Sequence, residues 1–201
     1  MKTLDYIIQK FKPQFNKRWA EIPGTRDKEL LEIFRDLKFE KGAEIGVERG
    51  AYSEVICKRI PNVTLYCIDA WEAYPQYREH VSQDKLDQFY KETKNRLKPY
   101  NAKIIKGFSE EVHKDFADGS LDFVYIDGNH DFLHITQDIY YWMPKVRRDG
   151  IVAGHDFVRV KGKYTNHVKD VIPAYAHAMN IDPWFVLREP KRASSWFWIK
   201  Q

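Results

Sequence analysis

A chain of 201 residues, 43% hydrophobic and 15% aromatic, is long enough to bury one substantial core and too short for two full domains. Its formal charge of +4 arises from 33 basic and 29 acidic residues interleaved along the chain, which gives no argument for a nucleic-acid partner. No run of about 18 apolar residues occurs and Met1 to Lys12 mixes charged with apolar residues, so neither a membrane partner nor a secretory leader is expected and a soluble, cytoplasmic protein is.

Two helices are expected first, from Leu4 to Phe15 and from Asp27 to Leu37. Thr25 is placed to cap the second, whose Leu30, Leu31, Phe34 and Leu37 form an apolar stripe at helical spacing. Residues 1–39 then read as a helical cap on a domain over residues 40–201, the whole forming one structural domain. A strand from Gly42 to Val47 runs into a turn holding Gly46 and Gly50, and a helix from Tyr52 to Ile60 follows, stopped by Pro61. Val63 to Ile68 is a short apolar strand ending at Asp69. An aromatic loop with Trp71, Tyr74, Pro75 and Tyr77 leads into a charged helix from Gln83 to Leu97. Lys103 to Ile105 and Leu121 to Ile126 are the next strands, the latter closing on Asp127-Gly128-Asn129-His130. After a helix from Leu133 to Met143, the strand Gly150 to Asp156 carries His155 and Asp156 at its tip. A helix from His167 to Met179 precedes an antiparallel pair, Trp184 to Leu187 and Ser195 to Ile199. With Trp196-Phe197-Trp198 read as an edge strand, pairing between subunits offers a route to a homo-oligomer. Cys57 and Cys67 lack metal-ligand spacing and read as reduced structural thiols.

Strands alternating with helices predict an α/β fold: a doubly wound, mainly parallel seven-stranded sheet with right-handed crossovers and an antiparallel C-terminal hairpin strand. Ligands of such sheets collect at the carboxyl ends of the strands, which draws attention to Glu48, Asp69, Ser109, Asp127, His155 and Asp156.

The segment Ala43 to Ser53 has the form of a nucleotide-binding strand, turn and helix start, and Asp69 follows at the distance, about twenty residues, of an acid that takes a ribose diol. A dinucleotide fingerprint starting at Gly46 needs glycine at position 48, where this chain has Glu48, and a pyrophosphate would meet that carboxylate. No G-K-[ST] follows the glycines, which excludes a P-loop. The pattern Glu44-x-Gly46-x-x-x-Gly50 resembles instead the first motif of class I S-adenosylmethionine (SAM)-dependent methyltransferases. Their ligand lacks phosphate and is positively charged at its amine and sulfonium, so Glu44 and Glu48 suit it electrostatically.

The resemblance covers about residues 40 to 200 and is closest to the small O-methyltransferases of catechol and macrocin type, which implies a Rossmann-like methyltransferase fold. It implies that Asp69 holds the ribose hydroxyls and that Ser109, in Lys106-Gly107-Phe108-Ser109-Glu110, hydrogen-bonds near the adenine; as plain sequence, Ser109 also reads as a helix N-cap. In the metal-dependent members an acid ends the fourth strand and two polar ligands end the fifth. The matching set here is Asp127 with His155 and Asp156, adequate for magnesium, although His155 stands where the family has an acid or amide and imidazole favours manganese, iron or zinc. His130 occupies the place of the catechol-type lysine base, and an unperturbed histidine pKa of about 6.5 suits that task; capping or metal ligation are its other readings. Ser53 falls one residue later than the family's serine, and the amides at the helix N-terminus around it remain a site for the methionine carboxylate. Trp71, Tyr74 and Tyr77 either cover the adenine or acceptor or pack into the core. His113, His134 and His167 are placed on solvated faces.

The resemblance thus implies SAM, with magnesium or manganese, and a small-molecule acceptor hydroxyl on a sugar, a sugar-bearing natural product or a phenol. Asp127-Gly128-Asn129-His130 is not the Asp/Asn-Pro-Pro-Tyr tetrapeptide of nucleic-acid amino-methyltransferases. A metal-dependent hydroxylase of cephalosporin-hydroxylase-like type and a SAM-binding module without turnover are the alternatives.

Overall fold

Thr3–Phe11 forms the first helix, α1, in the computed structural model, which describes residues 2–16, 18–74, 81–160, 166–190 and 192–201. The helix stops four residues short of the expected Phe15 because Lys12 precedes Pro13, a position where the αR conformation is disfavoured; Lys12 turns left-handed at φ 45° and its N–H closes on the Ile8 carbonyl. The freed residues make two short strands instead, β1 (Gln14–Phe15) and β2 (Ala20–Pro23). Thr25 caps as expected, its hydroxyl accepting from the Lys28 amide at 3.2 Å, and the wide turn that follows runs into α2 (Leu31–Asp36).

From there strands and helices alternate: β3 (Lys41–Ile45), α3 (Ala51–Arg59), β4 (Thr64–Asp69), α4 (Gln83–Leu97), β5 (Ala102–Lys106), α5 (Ser109–Val112), β6 (Leu121–Ile126), α6 (Phe132–Trp142), β7 (Val146–Phe157) and α7 (Val168–Ala178). The chain closes with β8 (Trp184–Arg188) and β9 (Ser194–Ile199). The strand order is β1-β2-β8-β9-β7-β6-β3-β4-β5. β3 pairs in parallel with both β4 and β6, and β6 with β7, while β9 runs antiparallel to β7 and β8. The seven expected strands therefore form, and the N-terminal pair extends the sheet beyond β8. As a result Trp196-Phe197-Trp198 lies inside the sheet, paired on both sides, and is not an edge open to another subunit.

Phe123, Val124, Tyr125 and Ile126 are all buried, as a strand covered on both faces requires. One core layer packs α1 to α4 on the sheet through Ile7, Phe34, Ile56 and Phe89; the other packs α6 and α7 through Ile139, Trp142, Val171 and Ile172. Phe34 stacks on Phe123 with centroids 4.2 Å apart. Cys57 and Cys67 are free and buried. Among the described residues no helix is long and apolar enough to cross a membrane. The strand order reverses at β3, so the connections leaving β3 and β6 run to opposite faces of the sheet and leave a crevice at the carboxyl ends of these strands.

Candidate active site

The turn after β3 lies on the first side of that crevice. Gly46 has φ 86°, and a Cβ there would stand 2.3 Å from the Asp127 carbonyl oxygen, so only glycine lets β3 and β6 approach this closely. Asp69, at the end of β4, holds the turn: its Oδ2 accepts the amides of Val47 (2.9 Å) and Glu48 (2.8 Å), and its Oδ1 accepts that of Trp71 (2.9 Å). Trp71 is 1% exposed and donates its indole N–H to the Glu48 carbonyl at 2.7 Å, which makes it a strut beneath the turn. Gly50, at φ 70°, starts α3.

Glu44 is buried and accepts the hydroxyl hydrogen of the wholly buried Ser53. Burial, which outweighs that hydrogen bond, pushes its carboxyl up to about 8, with the charges of Asp127 and Asp69 adding to the rise. Glu44 is thus protonated at neutral pH, and the negative charge expected of it near a cationic ligand falls to Asp69 and Glu48. Ser53 does not line the cavity, since its hydroxyl is committed to Glu44.

On the far side of β4, Ser109 begins α5 and donates to Asp138 of α6. Asp138 is buried, which pushes its carboxyl up to about 7 against the lowering effect of Ser109. The sequence carried a signal for Asp138 that went unread: it falls on the inward stripe Ile135, Asp138, Ile139 and Trp142. Tyr74 sits beside this pair, edge-on to Phe108 at 5.5 Å and bonded through its hydroxyl to Asn129. Pro75 and Tyr77 lie outside the described residues.

The third group gathers at the ends of β6 and β7. Asp127, His130 and Asp156 each offer a ligand atom, all within 4.8 Å of one another. His130 Nε2 lies 2.8 Å from Asp156 Oδ2 and 3.7 Å from Asp127 Oδ1, yet its N–H direction misses both oxygens, leaving a buried nitrogen without an aligned partner. His155 Nδ1 faces the same carboxylates at 3.4 and 3.8 Å. Burial works against a charged His130, but Asp127 and Asp156 outweigh it and raise the imidazole to about 10, so the value near 6.5 that suits a base at neutral pH does not hold in this setting. Burial likewise opposes ionisation of Asp156, and the two imidazoles reverse this, holding its carboxyl well below the usual range. Asp156 also adopts φ 55°, a strained conformation of the kind that collects at functional sites.

Two further features escaped the sequence reading. Arg26, from the segment between β2 and α2, donates through Nη1 to Asp127 Oδ2 at 2.8 Å and to the Tyr125 hydroxyl at 3.1 Å; no motif marked it. His134 and His167 are not bystanders on solvated faces. His134 lines the cavity, and His167 Nδ1 accepts the Phe132 amide while its own amide donates to the His130 carbonyl, closing the loop that carries His130.

All three groups border one cavity of ≈ 660 Å³, within the range of about 300–1,000 Å³ typical of small-ligand sites. Of the residues expected at the cofactor, Glu44, Gly46, Asp69, Ser109 and Asp127 line it, as do His130, His155 and Asp156; Gly50 and Ser53 stand behind the wall. The two carboxylates and the two imidazoles that face them fit a divalent cation, and the acid-lined cavity fits a cationic nucleoside.

A family model described as a methyltransferase domain matches residues 43–157, and the chain belongs to that methyltransferase family. Among solved structures, a caffeoyl-CoA O-methyltransferase candidate from Staphylococcus aureus superposes with TM-score 0.60 at 15% identity, over 98% of this chain and 90% of that one. The O-methyltransferase TomG from Streptomyces achromogenes, involved in tomaymycin synthesis and solved with SAM, gives TM-score 0.60 at 14% identity over 88% and 80%. The Podospora anserina methyltransferase PaMTH1, solved with S-adenosylhomocysteine, gives 0.59 at 16% over 88% and 78%. At these identities the likeness is one of fold. Comparison with curated proteins gives no match.

Proposed function

We propose that the protein is a SAM-dependent O-methyltransferase that methylates a hydroxyl of a small molecule, a sugar, sugar-bearing natural product or phenol, with help from a divalent cation. The observation that carries this reading is that one cavity joins the Asp69 turn to the Asp127, His130 and Asp156 cluster, so a donor and an acceptor oxygen can lie side by side. SAM brings a methyl group on a sulfonium, and magnesium or manganese brings Lewis acidity for the acceptor oxygen.

Asp69 binds the ribose. A carboxylate has about four lone-pair sites and backbone amides use three, which leaves Oδ1 one further hydroxyl to accept. The α3 N-terminus, through residues such as Ala51 that face the cavity, receives the methionine carboxylate. Ser109 and Asp138 border the adenine, with Tyr74 as its cover.

Asp127 and Asp156 hold the cation. The expectation gave His155 as third ligand and His130 as base; the distances favour the reverse, since His130 Nε2 is nearer the carboxylates and completes the group. His155, facing the same carboxylates, then receives the acceptor proton. Co-crystallisation with S-adenosylhomocysteine and manganese tests the whole arrangement. Adenosine between Asp69 and Ser109 with manganese on Asp127, His130 and Asp156 supports it; a nucleoside bound elsewhere overturns it.

A further inference from the structure

Arg26 enters the cluster from outside the strands that build it. Its backbone is pinned, with the amide donating to Glu189 Oε1 at 3.0 Å beside the β8–β9 hairpin. Its guanidinium lies 4.3 Å over the Tyr52 ring and reaches the Tyr125 hydroxyl and Asp127 Oδ2 through one nitrogen. Asp127 is therefore divided: Oδ2 is tied to Arg26, and Oδ1 faces the imidazoles of His130 and His155.

We infer that Arg26 is a tethered cation that competes with the divalent ion for Asp127 and sets the concentration at which the site fills; this rests on the cation reading above. Two effects oppose one another. Partners that orient a metal ligand typically raise affinity 10- to 100-fold, so removing Arg26 would loosen the site if orientation dominated. Arg26 instead carries a full positive charge. At roughly 5 Å such a charge opposes a divalent ion by more than tenfold even at the dielectric of water, and by far more in a half-buried setting. Asp127 also keeps the two imidazoles facing its other oxygen without Arg26, so its orientation does not depend on the guanidinium alone and the charge effect wins.

The test is manganese binding followed by electron paramagnetic resonance, with no turnover required. Arg26→Met is expected to bind manganese about tenfold or more tightly than the natural chain, while Arg26→Lys, which keeps the charge, stays near the natural affinity. Arg26→Gln, which also removes the charge but keeps a polar donor at this position, should tighten binding in the same direction, which preserves the test if Arg26→Met does not fold. Affinity in Arg26→Met and Arg26→Gln that is unchanged or weaker than in a manganese-binding natural chain overturns the role of Arg26 alone. No manganese binding by the natural chain or either variant overturns the cation site itself, and the inference with it.

Discussion

Ser53 donates its hydroxyl hydrogen from behind the cavity wall to the buried Glu44, and the acid is protonated there up to about pH 8. A carboxyl whose folded pKa is raised contributes stability that is full below its unfolded value, about 4.5, and is lost as pH rises through about 8. Unfolding free energy should therefore decline between those limits by an amount on the order of a few kcal/mol. Glu44→Gln should flatten that decline, matching the natural chain near pH 5 and exceeding it near pH 9. Urea unfolding across this range checks it, and parallel curves for the two proteins would contradict the assignment.

Asp69 accepts three backbone amides, and in the proposed reading a ribose hydroxyl shares the same carboxylate. Asp69→Asn should weaken S-adenosylhomocysteine binding by about tenfold or more, as expected for loss of a charge-assisted hydrogen bond, and lower the melting temperature as the turn loosens. Calorimetric titration provides the readout. Unaltered affinity with a lowered melting temperature would make Asp69 purely structural.

The proposed division of labour between the imidazoles can be separated by two substitutions. His130→Ala should weaken manganese binding, whereas His155→Ala should leave it intact and depress turnover at neutral pH by about a hundredfold or more. The opposite pattern would restore the assignment suggested by family resemblance, with His155 on the cation and His130 as base.

Phe34 of α2 stacks on Phe123 of β6 in the core layer between the helix and the sheet. Phe34→Ala should lower stability by about 3–5 kcal/mol while leaving cofactor affinity unchanged in the folded fraction. Denaturant unfolding alongside binding measures both, and a loss below about 1 kcal/mol would mean that α2 docks by other contacts.

The alternating elements were legible because period and punctuation agreed: α4 spans the Gln83 to Leu97 expected from its sequence, and β6 the expected Leu121 to Ile126. Backbone conformation was less so. Pro13 ended α1 early through its effect on Lys12, and β1 and β2 are too short to show a strand period. At the site, the strand-tip rule exposed Asp69, Asp127, His155 and Asp156, which needed only local sequence. Arg26 and the His167 brace depend on contacts across the fold, to Asp127 and to the loop after it, and a linear pattern holds no trace of either. Charge states were hidden for the same reason: burial of Glu44 and the converging carboxylates around His130 are properties of the packed molecule.

Transfer of a labelled methyl group from SAM to a panel of phenols and sugars, with and without chelator, tests the central claim most directly. Label should appear on a hydroxyl of at least one acceptor and be lost when the divalent ion is withdrawn. SAM binding with no acceptor methylated would contradict the enzymatic reading, and transfer indifferent to chelator would remove the cation from the chemistry at Asp127.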